Sequence, residues 1–366
     1  MHPIPQRHSL VSQTAQVLRD EIAKGTWSEW LPGERMLCEM LQVSRNTLRA
    51  ALTQLQREGS IAPKHGAGNR VVRSGKRAAK RAPAAGARDV GLLSPEPLER
   101  LRPTQTLWID ELRALLSERD CRLHVFHGPQ YFRREPGPAL QRLVAQRVHG
   151  CWILTLSNEA IQRWFSENGV SCIVAGSVHA GLGLPTRDLD HRALCRHAAG
   201  VLLGAGHRQL ALVIGQSRLA GDLASETGFL EGVQTSRAAA EAAAVVARHD
   251  GTVAGISNAL RRLMSAKRPP TGLLVANAYH YLTVASRLAE QGIRVPQDVS
   301  LISRDEDPFL SFMVPEPARY IISPRTLSKA LLEPVIDLLE HRPVARPVVQ
   351  LMPEFLRGAS IAPSRV

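Results

Sequence analysis

LPGERMLCEMLQVSRNTLRAALTQLQREGSIAPKHGAGNRV, residues 31–71, decides how the front of the chain folds. Pro32-Gly33 punctuates the chain before a helix predicted over Glu34–Leu41, with Glu34 near the positive end of the helix dipole. Gln42 and Val43 form a turn, and Ser44 is placed to cap a next helix that ends near Glu58. Leu48, Leu52 and Leu55 face inward on that helix, which leaves Arg45, Asn46, Thr47 and Arg49 at its exposed N-terminal end. After Gly59, two short strands are predicted at Ser60–Pro63 and Asn69–Arg73, around the turn His65-Gly66-Ala67-Gly68. Upstream, Val11, Ala15, Leu18 and Ile22 make one apolar stripe on a helix expected from about Ser9 to Lys24, which Gly25 ends.

Helix, turn, helix and hairpin in this order describe a winged helix-turn-helix over residues 9–72, and its polar groups suit duplex DNA. A helix in the major groove reads bases through its first turns: arginine pairs with guanine O6 and N7, asparagine with adenine, and a threonine methyl touches thymine. Arg45, Asn46, Thr47 and Arg49 fit that task, and the hairpin would bring Lys64, His65 and Arg70 near the backbone or minor groove. The charge distribution agrees. The 366 residues carry a net charge of +13, of which residues 1–88 hold +9. A basic module on a nearly balanced remainder points to a polyanionic partner for the small part. Residues 73–88, RSGKRAAKRAPAAGAR, hold six basic residues, no acid and no large apolar residue, and read as a flexible linker able to track phosphates.

From Asp89 the pattern changes. Short apolar runs at Val90–Leu93, Leu123–Phe126, Cys151–Thr155, Cys172–Ala175, Leu210–Ile214, Ala244–Val246, Gly272–Ala276 and Val299–Ile302 alternate with helical patterns such as Thr106–Arg119, His191–Gly204, Leu223–Ser236 and Tyr279–Gln291. Strands buried on both faces and joined by helical crossovers imply mainly parallel sheets. The length exceeds one ordinary sheet, so residues 89–362 are expected to form two α/β lobes with a cleft between them.

Residues 31–71 resemble the GntR-type winged-helix domain: LP-x-E-R, then V-S-R-x-T-x-R-x-A-L, then L-x-x-x-G and a glycine-containing wing occur in order. Carried over residue by residue, the resemblance implies DNA contacts from Arg35, Ser44, Arg45, Thr47, Arg49 and Gly66. Asp190–Ile214, Gly228-Phe229 and Pro270–Pro308 resemble effector domains of the LacI/GalR family, which share the periplasmic sugar-binding fold. The pairing of these two modules resembles the architecture of arabinose-repressor-like regulators. By position, the resemblance implies effector contacts from Asn277 and Asp305, with Ser225 standing where the family commonly has a ligand-gripping arginine. The chain also departs at Ala278, where an aspartate is usual, and at Gly176, where an acidic contact can occur.

Other chemistry finds little support. There is no phosphate loop, no nucleophile elbow and no complete dinucleotide fingerprint, so no enzyme, no cofactor and no metal is expected. His191, Cys195 and His197 have a spacing that could seat a metal but read as ordinary helix residues, and His207 reads as a cap of the preceding helix. Five scattered cysteines suit a reducing compartment, the first eight residues lack the apolar core of a signal peptide, and no run approaches the roughly 20 apolar residues of a membrane span. The expectation is a cytoplasmic, homodimeric, ligand-controlled transcription repressor that binds a double-stranded operator, with a sugar the ligand class the resemblance implies. The alternatives are a nonspecific nucleic-acid binder whose second domain only dimerises and, further off, a sugar-binding protein or enzyme.

Overall fold

A computed structural model describes residues 10–23, 26–27, 29–41, 43–57, 59–64, 68–72, 88–147 and 149–364. The chain divides into two compact units, residues 1–82 and 83–366.

The first unit holds α1 (Leu10–Ala23), α2 (Glu34–Leu41), α3 (Arg45–Arg57) and the strands β1 (Ile61–Lys64) and β2 (Gly68–Val71). The predicted stripes are what packs: Ala15 and Leu18 of α1, Leu37 of α2 and Leu48, Leu52 and Leu55 of α3 share a core with Ile61 and Val71. Each of the leucine, isoleucine and valine side chains contributes roughly 1.5–3 kcal/mol by leaving water. Ser44 starts α3 as a cap, its hydroxyl accepting from the Thr47 N–H at 3.2 Å. β1 and β2 pair antiparallel with Ile61 opposite Val71. The free edge of β2 meets residues 29–31, where Leu31 N–H donates to the Asn69 carbonyl and Val71 N–H to the Glu29 carbonyl. Residues 73–87 of the expected linker, together with His65 and Gly66, lie outside the described residues.

The second unit runs β3 (Asp89–Ser94), α4 (Pro103–Ser117), β4 (Arg122–His127), α5 (Gly137–Gln146), β5 (Cys151–Thr155), α6 (Glu159–Glu167), β6 (Cys172–Ala175) and β7 (Thr186–Leu189). It continues with α7 (His191–Gly204), β8 (Gln209–Gly215), α8 (Ala220–Gln234), β9 (Ala243–His249), α9 (Val253–Met264), β10 (Gly272–Val275), α10 (Ala278–Glu290) and β11 (Ser300–Ser303). The last elements are β12 (Ala318–Ile321), α11 (Pro324–Leu339), β13 (Val348–Leu351) and β14 (Glu354–Leu356). They make two six-stranded sheets, ordered β13-β7-β6-β5-β3-β4 and β14-β12-β11-β10-β8-β9. Every pairing is parallel except that of β14 with β12.

Each sheet is the middle of a lobe covered on both faces. In lobe 1, α4 and α11 bury one face around Ile109, Leu112, Ile153 and Leu331, while Leu140, Ile161 and Phe165 of α5 and α6 bury the other. In lobe 2, α7 and α8 pack through Leu194, Leu202 and Phe229, and α9 and α10 through Ile256, Leu260 and Tyr281. The chain passes between the lobes three times, from β7 to α7, from β12 to α11 and from β13 to β14.

Helix α11 contains Pro334, whose missing N–H leaves the Ala330 carbonyl without its helical donor. Arg187 of β7 supplies one, its Nε donating to that carbonyl at 3.0 Å, and its Nη1 donates to the carbonyls of Thr186 and Pro347. Close approach governs the other helix pair of note. A Cβ on Gly228 of α8 would lie 2.0 Å from the Arg192 carbonyl oxygen of α7, and one on Gly232 would lie 2.8 Å from the Ala199 Cβ. The obstacle at Gly228 is backbone and cannot swing aside. Gly228→Ala is therefore expected to destabilise the protein by about 1–3 kcal/mol or more, read as a lower urea midpoint at unchanged slope.

Candidate functional site

The first turn of α3 presents Arg45 and Asn46 to solvent, and neither has a partner among the described residues. Their neighbours are employed locally. Thr47 is half-buried with its hydroxyl 2.8 Å from that of Ser44, which is itself the helix cap. Arg49 reaches back to Glu34 of α2 at 2.9 Å, and Arg35 pairs with Glu39 at 3.2 Å along one helix face. Both pairs are exposed and worth about 1 kcal/mol or less, so either arginine can exchange its carboxylate for a phosphate at little cost. Arg70 lies 3.8 Å from Glu29. The backbone of Lys64 ends β1, and its side chain lies outside the description.

In the second unit the two lobes enclose a cavity of about 410 Å³, lined by the residues that follow the strands at their carboxyl ends. That end of a parallel sheet is where open α/β folds take their ligands. Leu156, just after β5, lines it at a φ of 49°, a left-handed conformation that costs a side-chain-bearing residue about 1–3 kcal/mol. The helices α4, α8 and α11 all begin at this cavity, and none has a side-chain cap. By contrast α6, α7, α9 and α10 are capped by Asn158, Asp190, Thr252 and Asn277.

The electrostatic centre of the cavity is Arg304, at the end of β11 and 8% exposed. Its Nη1 donates to Asp222 at 2.7 Å and to the Ser225 hydroxyl at 2.9 Å, and its Nε donates to Asp305 at 3.1 Å. Burial works against the guanidinium charge, but the carboxylates of Asp305 and Asp222 outweigh it and hold the arginine more firmly charged than usual. Asp305 is the mirror case: burial would raise its pKa, yet Arg304 and Arg102 hold it well below the usual carboxylate range. Nearby, Asp188 accepts from the Ser177 hydroxyl and lies 3.5 Å from His191. Burial opposes its charge, but His191 and Ser177 keep its pKa below the ordinary value.

The expected effector residues are thus placed differently from one another. Asp305 lines the cavity. Ser225 is fully buried behind Arg304 and also donates to the Gly221 carbonyl, so it positions a cation and does not itself line the cavity. Asn277 accepts from the N–H groups of Tyr279 and His280 as the cap of α10, and it too is absent from the cavity wall. Gly176 lines the cavity with backbone alone, at a φ of 144°. Arg304, Asp222 and Arg102 were missed. The signal was available, because an arginine lost at position 225 makes a cation elsewhere in the wall, such as the one adjoining Asp305, worth looking for.

The other histidine expectations resolve locally. The C-terminus of α7 is closed by backbone, with Gly206 at a φ of 92° and the His207 N–H donating to the Leu202 carbonyl. The His207 ring turns instead into the core, 2.9 Å from both the Thr271 and Ser300 hydroxyls. His191 faces Asp188, Cys195 is buried, and His197 is 2.6 Å from the Tyr320 hydroxyl, so the three go to different partners. Among the described residues no group of three such ligands could hold a metal ion, and no helix is long and apolar enough to cross a membrane.

Arg304→Gln would leave Asp222 and Asp305 facing each other without their shared cation, an expected loss of about 3–5 kcal/mol at neutral pH. The stability that the depressed Asp305 pKa contributes is complete above the ordinary aspartate value of about 4 and is lost progressively as pH falls from there through the lower folded-state value, so the gap between variant and parent should narrow only in strongly acidic solution. Urea titrations at about pH 7 and about pH 2 measure both; an equal gap at the two values would separate Asp305 from the effect.

Residues 10–71 match the family described as bacterial regulatory proteins, gntR family, and residues 199–361 match the periplasmic binding protein-like domain. Over 153 residues the chain is 25% identical to the HTH-type transcriptional repressor CytR of Escherichia coli (strain K12), which is 42% of this chain and 44% of that protein. The chain therefore spans less than half the length of this relative. Among solved structures, a LacI family transcriptional regulator from Bifidobacterium animalis subsp. lactis covers 76% of this chain and 99% of its own, with a TM-score of 0.66 at 21% identity. A transcriptional regulator CelR–cellobiose complex covers 97% of this chain and 100% of its own, with a TM-score of 0.66 at 18% identity. The first shares the fold of the chain over that 76% and the second over that 97%; the chain itself carries a GntR-family helix-turn-helix domain followed by a periplasmic-binding-protein-like domain of two α/β lobes.

Proposed function

We propose that the protein is a sequence-specific, DNA-binding transcription repressor of the cytoplasm, dimeric and controlled by a small ligand held between its lobes. The observation that carries the reading is the pair Arg45 and Asn46, solvent-exposed and without partners among the described residues on the first turn of α3 in a GntR-family domain. A base-reading side chain must be free to reach base edges, and these two are. Ser44, Thr47, Arg49 and Arg35 are assigned to phosphate and register, as are Lys64, His65 and Gly66 of the wing. Residues 73–88 supply a basic tether between this reader, residues 9–72, and the sensor, residues 89–362.

Two features of the second unit support control and pairing. The cavity offers charged donors and acceptors beside apolar walls at Trp108, Leu219 and Leu327, the mixture a sugar or similar small polar molecule needs. Asp305 is the effector contact assigned here, with Ser225 acting through Arg304 and Asn277 through the start of α10. The ligand changes operator affinity only by its differential affinity for two arrangements of the lobes, typically ~1–3 kcal/mol. Val253, Tyr279 and Leu282 stand exposed on the neighbouring helices α9 and α10, an apolar surface suited to a second copy of the chain.

In vitro selection from random duplex DNA with the full-length protein tests the reading. An enriched inverted repeat is expected; salt-sensitive binding to every duplex without enrichment would favour a nonspecific binder whose second unit only dimerises. With the enriched site in hand, Arg45→Ala should cost about 1–3 kcal/mol and relax preference at one base position. Equal weakening on the selected site and on random DNA would make Arg45 a phosphate contact.

A further inference from the structure

Arg102 is the residue at the start of α4, in lobe 1, and its side chain does not cap that helix. It reaches lobe 2 instead, where Nη1 lies 2.7 Å from Asp305 Oδ2 and 3.8 Å from Asp307 Oδ2. Among the described residues, these two pairs of Arg102 are the ion pairs that join the lobes through residues outside the chain crossings; the Asp188–His191 pair sits at the β7–α7 crossing itself.

Asp307 makes the contact consequential. It is completely buried, and neither carboxylate oxygen has a hydrogen-bond partner at full geometry. Burial raises its pKa; the groups that counter this are Arg102 and the Thr104 N–H, both at the open end of α4, and Asp305 adds to the rise. The charge of this lobe 2 carboxylate is thus compensated from lobe 1. Asp305 keeps a second cation in Arg304 when Arg102 leaves, whereas Asp307 keeps none among the described residues. Separating the lobes therefore takes from Asp307 its only cation among the described residues and leaves it beside the Asp305 carboxylate, which is costly for as long as the pair stays out of water.

We propose that Arg102 is an internal latch that holds the cavity bridged in the absence of ligand, and that a ligand acts by presenting its own hydrogen-bond donor to Asp305 in place of Arg102. The second clause rests on the ligand-controlled reading above; the first does not. Binding then exchanges one partner of Asp305 for another, so the empty sensor occupies a defined state and does not swing freely. A donor-bearing ligand, a hydroxyl or an amine, can make that exchange; a ligand with acceptors alone cannot.

Hydrogen exchange of the ligand-free, full-length protein tests the latch with neither DNA nor effector present, so its failure leaves the operator reading untouched. Arg102→Gln should speed exchange in residues 103–108 and 305–312 by about tenfold or more, as local opening becomes easier. Arg113→Gln, which breaks the exposed pair with Asp110 elsewhere on α4, should leave both segments at the parent rate. The double variant Arg102→Met/Asp307→Asn removes the stranded charge along with the latch, and serves if Arg102→Gln does not fold; it too should speed exchange in both segments. Parent-like protection in a folded Arg102 variant, or equal deprotection by Arg113→Gln, overturns the proposal.

Discussion

Neither lobe of the second unit is a continuous piece of chain, and the rest of the structure depends on that constraint. A parallel sheet needs apolar cover on both faces, and lobe 1 shares the cover of one face between α4 and α11, the latter made only after five of the six strands of lobe 2. The edge strand β13 arrives later still. Three chain crossings follow from this, and two of them run along the wall of the cavity between the lobes, through Leu189 and His191 and through Ile322 and Pro324. Internal packing of each lobe resists deformation, so relative motion is confined to the crossings and to whatever polar contacts span the gap.

Charge is managed locally throughout that cavity. Arg304 gathers Asp222, Asp305 and Ser225; Asp188 gathers Ser177 and His191; Arg187 is turned away toward carbonyls, one of them freed by a proline. Buried charges persist only when paired and hydrogen-bonded, and here the pairing fixes guanidinium and carboxylate groups in place before any ligand arrives. Such preorganisation favours a ligand whose donors and acceptors match an existing pattern.

How much of this was legible in the sequence varied with the kind of signal. All eight apolar runs named from Val90 to Ile302 lie in or against strands, and the helix predicted at His191–Gly204 has those bounds. Periodicity reports burial, so it found the elements that are buried on both faces. It missed β7, β12, β13 and β14, where runs such as TRDL and ARYI carry arginine or aspartate into the sheet, and it missed α11, where Pro334 argues against a helix interior. Pro334 is tolerated because Arg187, far away in sequence, takes the carbonyl it frees, a partnership that no local window contains. The cavity was legible only in part for the same reason. Asp305 could be placed by motif, whereas Arg102 and Arg304 matter through what they meet across the fold, and Asn277 and Ser225 turned out to hold up other groups.

The first turn of α3 has a consequence for how such a protein diversifies. Ser44 and Thr47 hold the helix end, and Arg49 ties α3 to α2, so changes there disturb the fold. Arg45 and Asn46 contribute nothing to the core and are held by no neighbour among the described residues. Substitutions at these two positions leave folding stability nearly untouched, since exposed sites without partners shift it by about half a kcal/mol or less. Under the proposed function, drift in operator sequence is followed by the protein through two codons, while the scaffold that presents them stays the same.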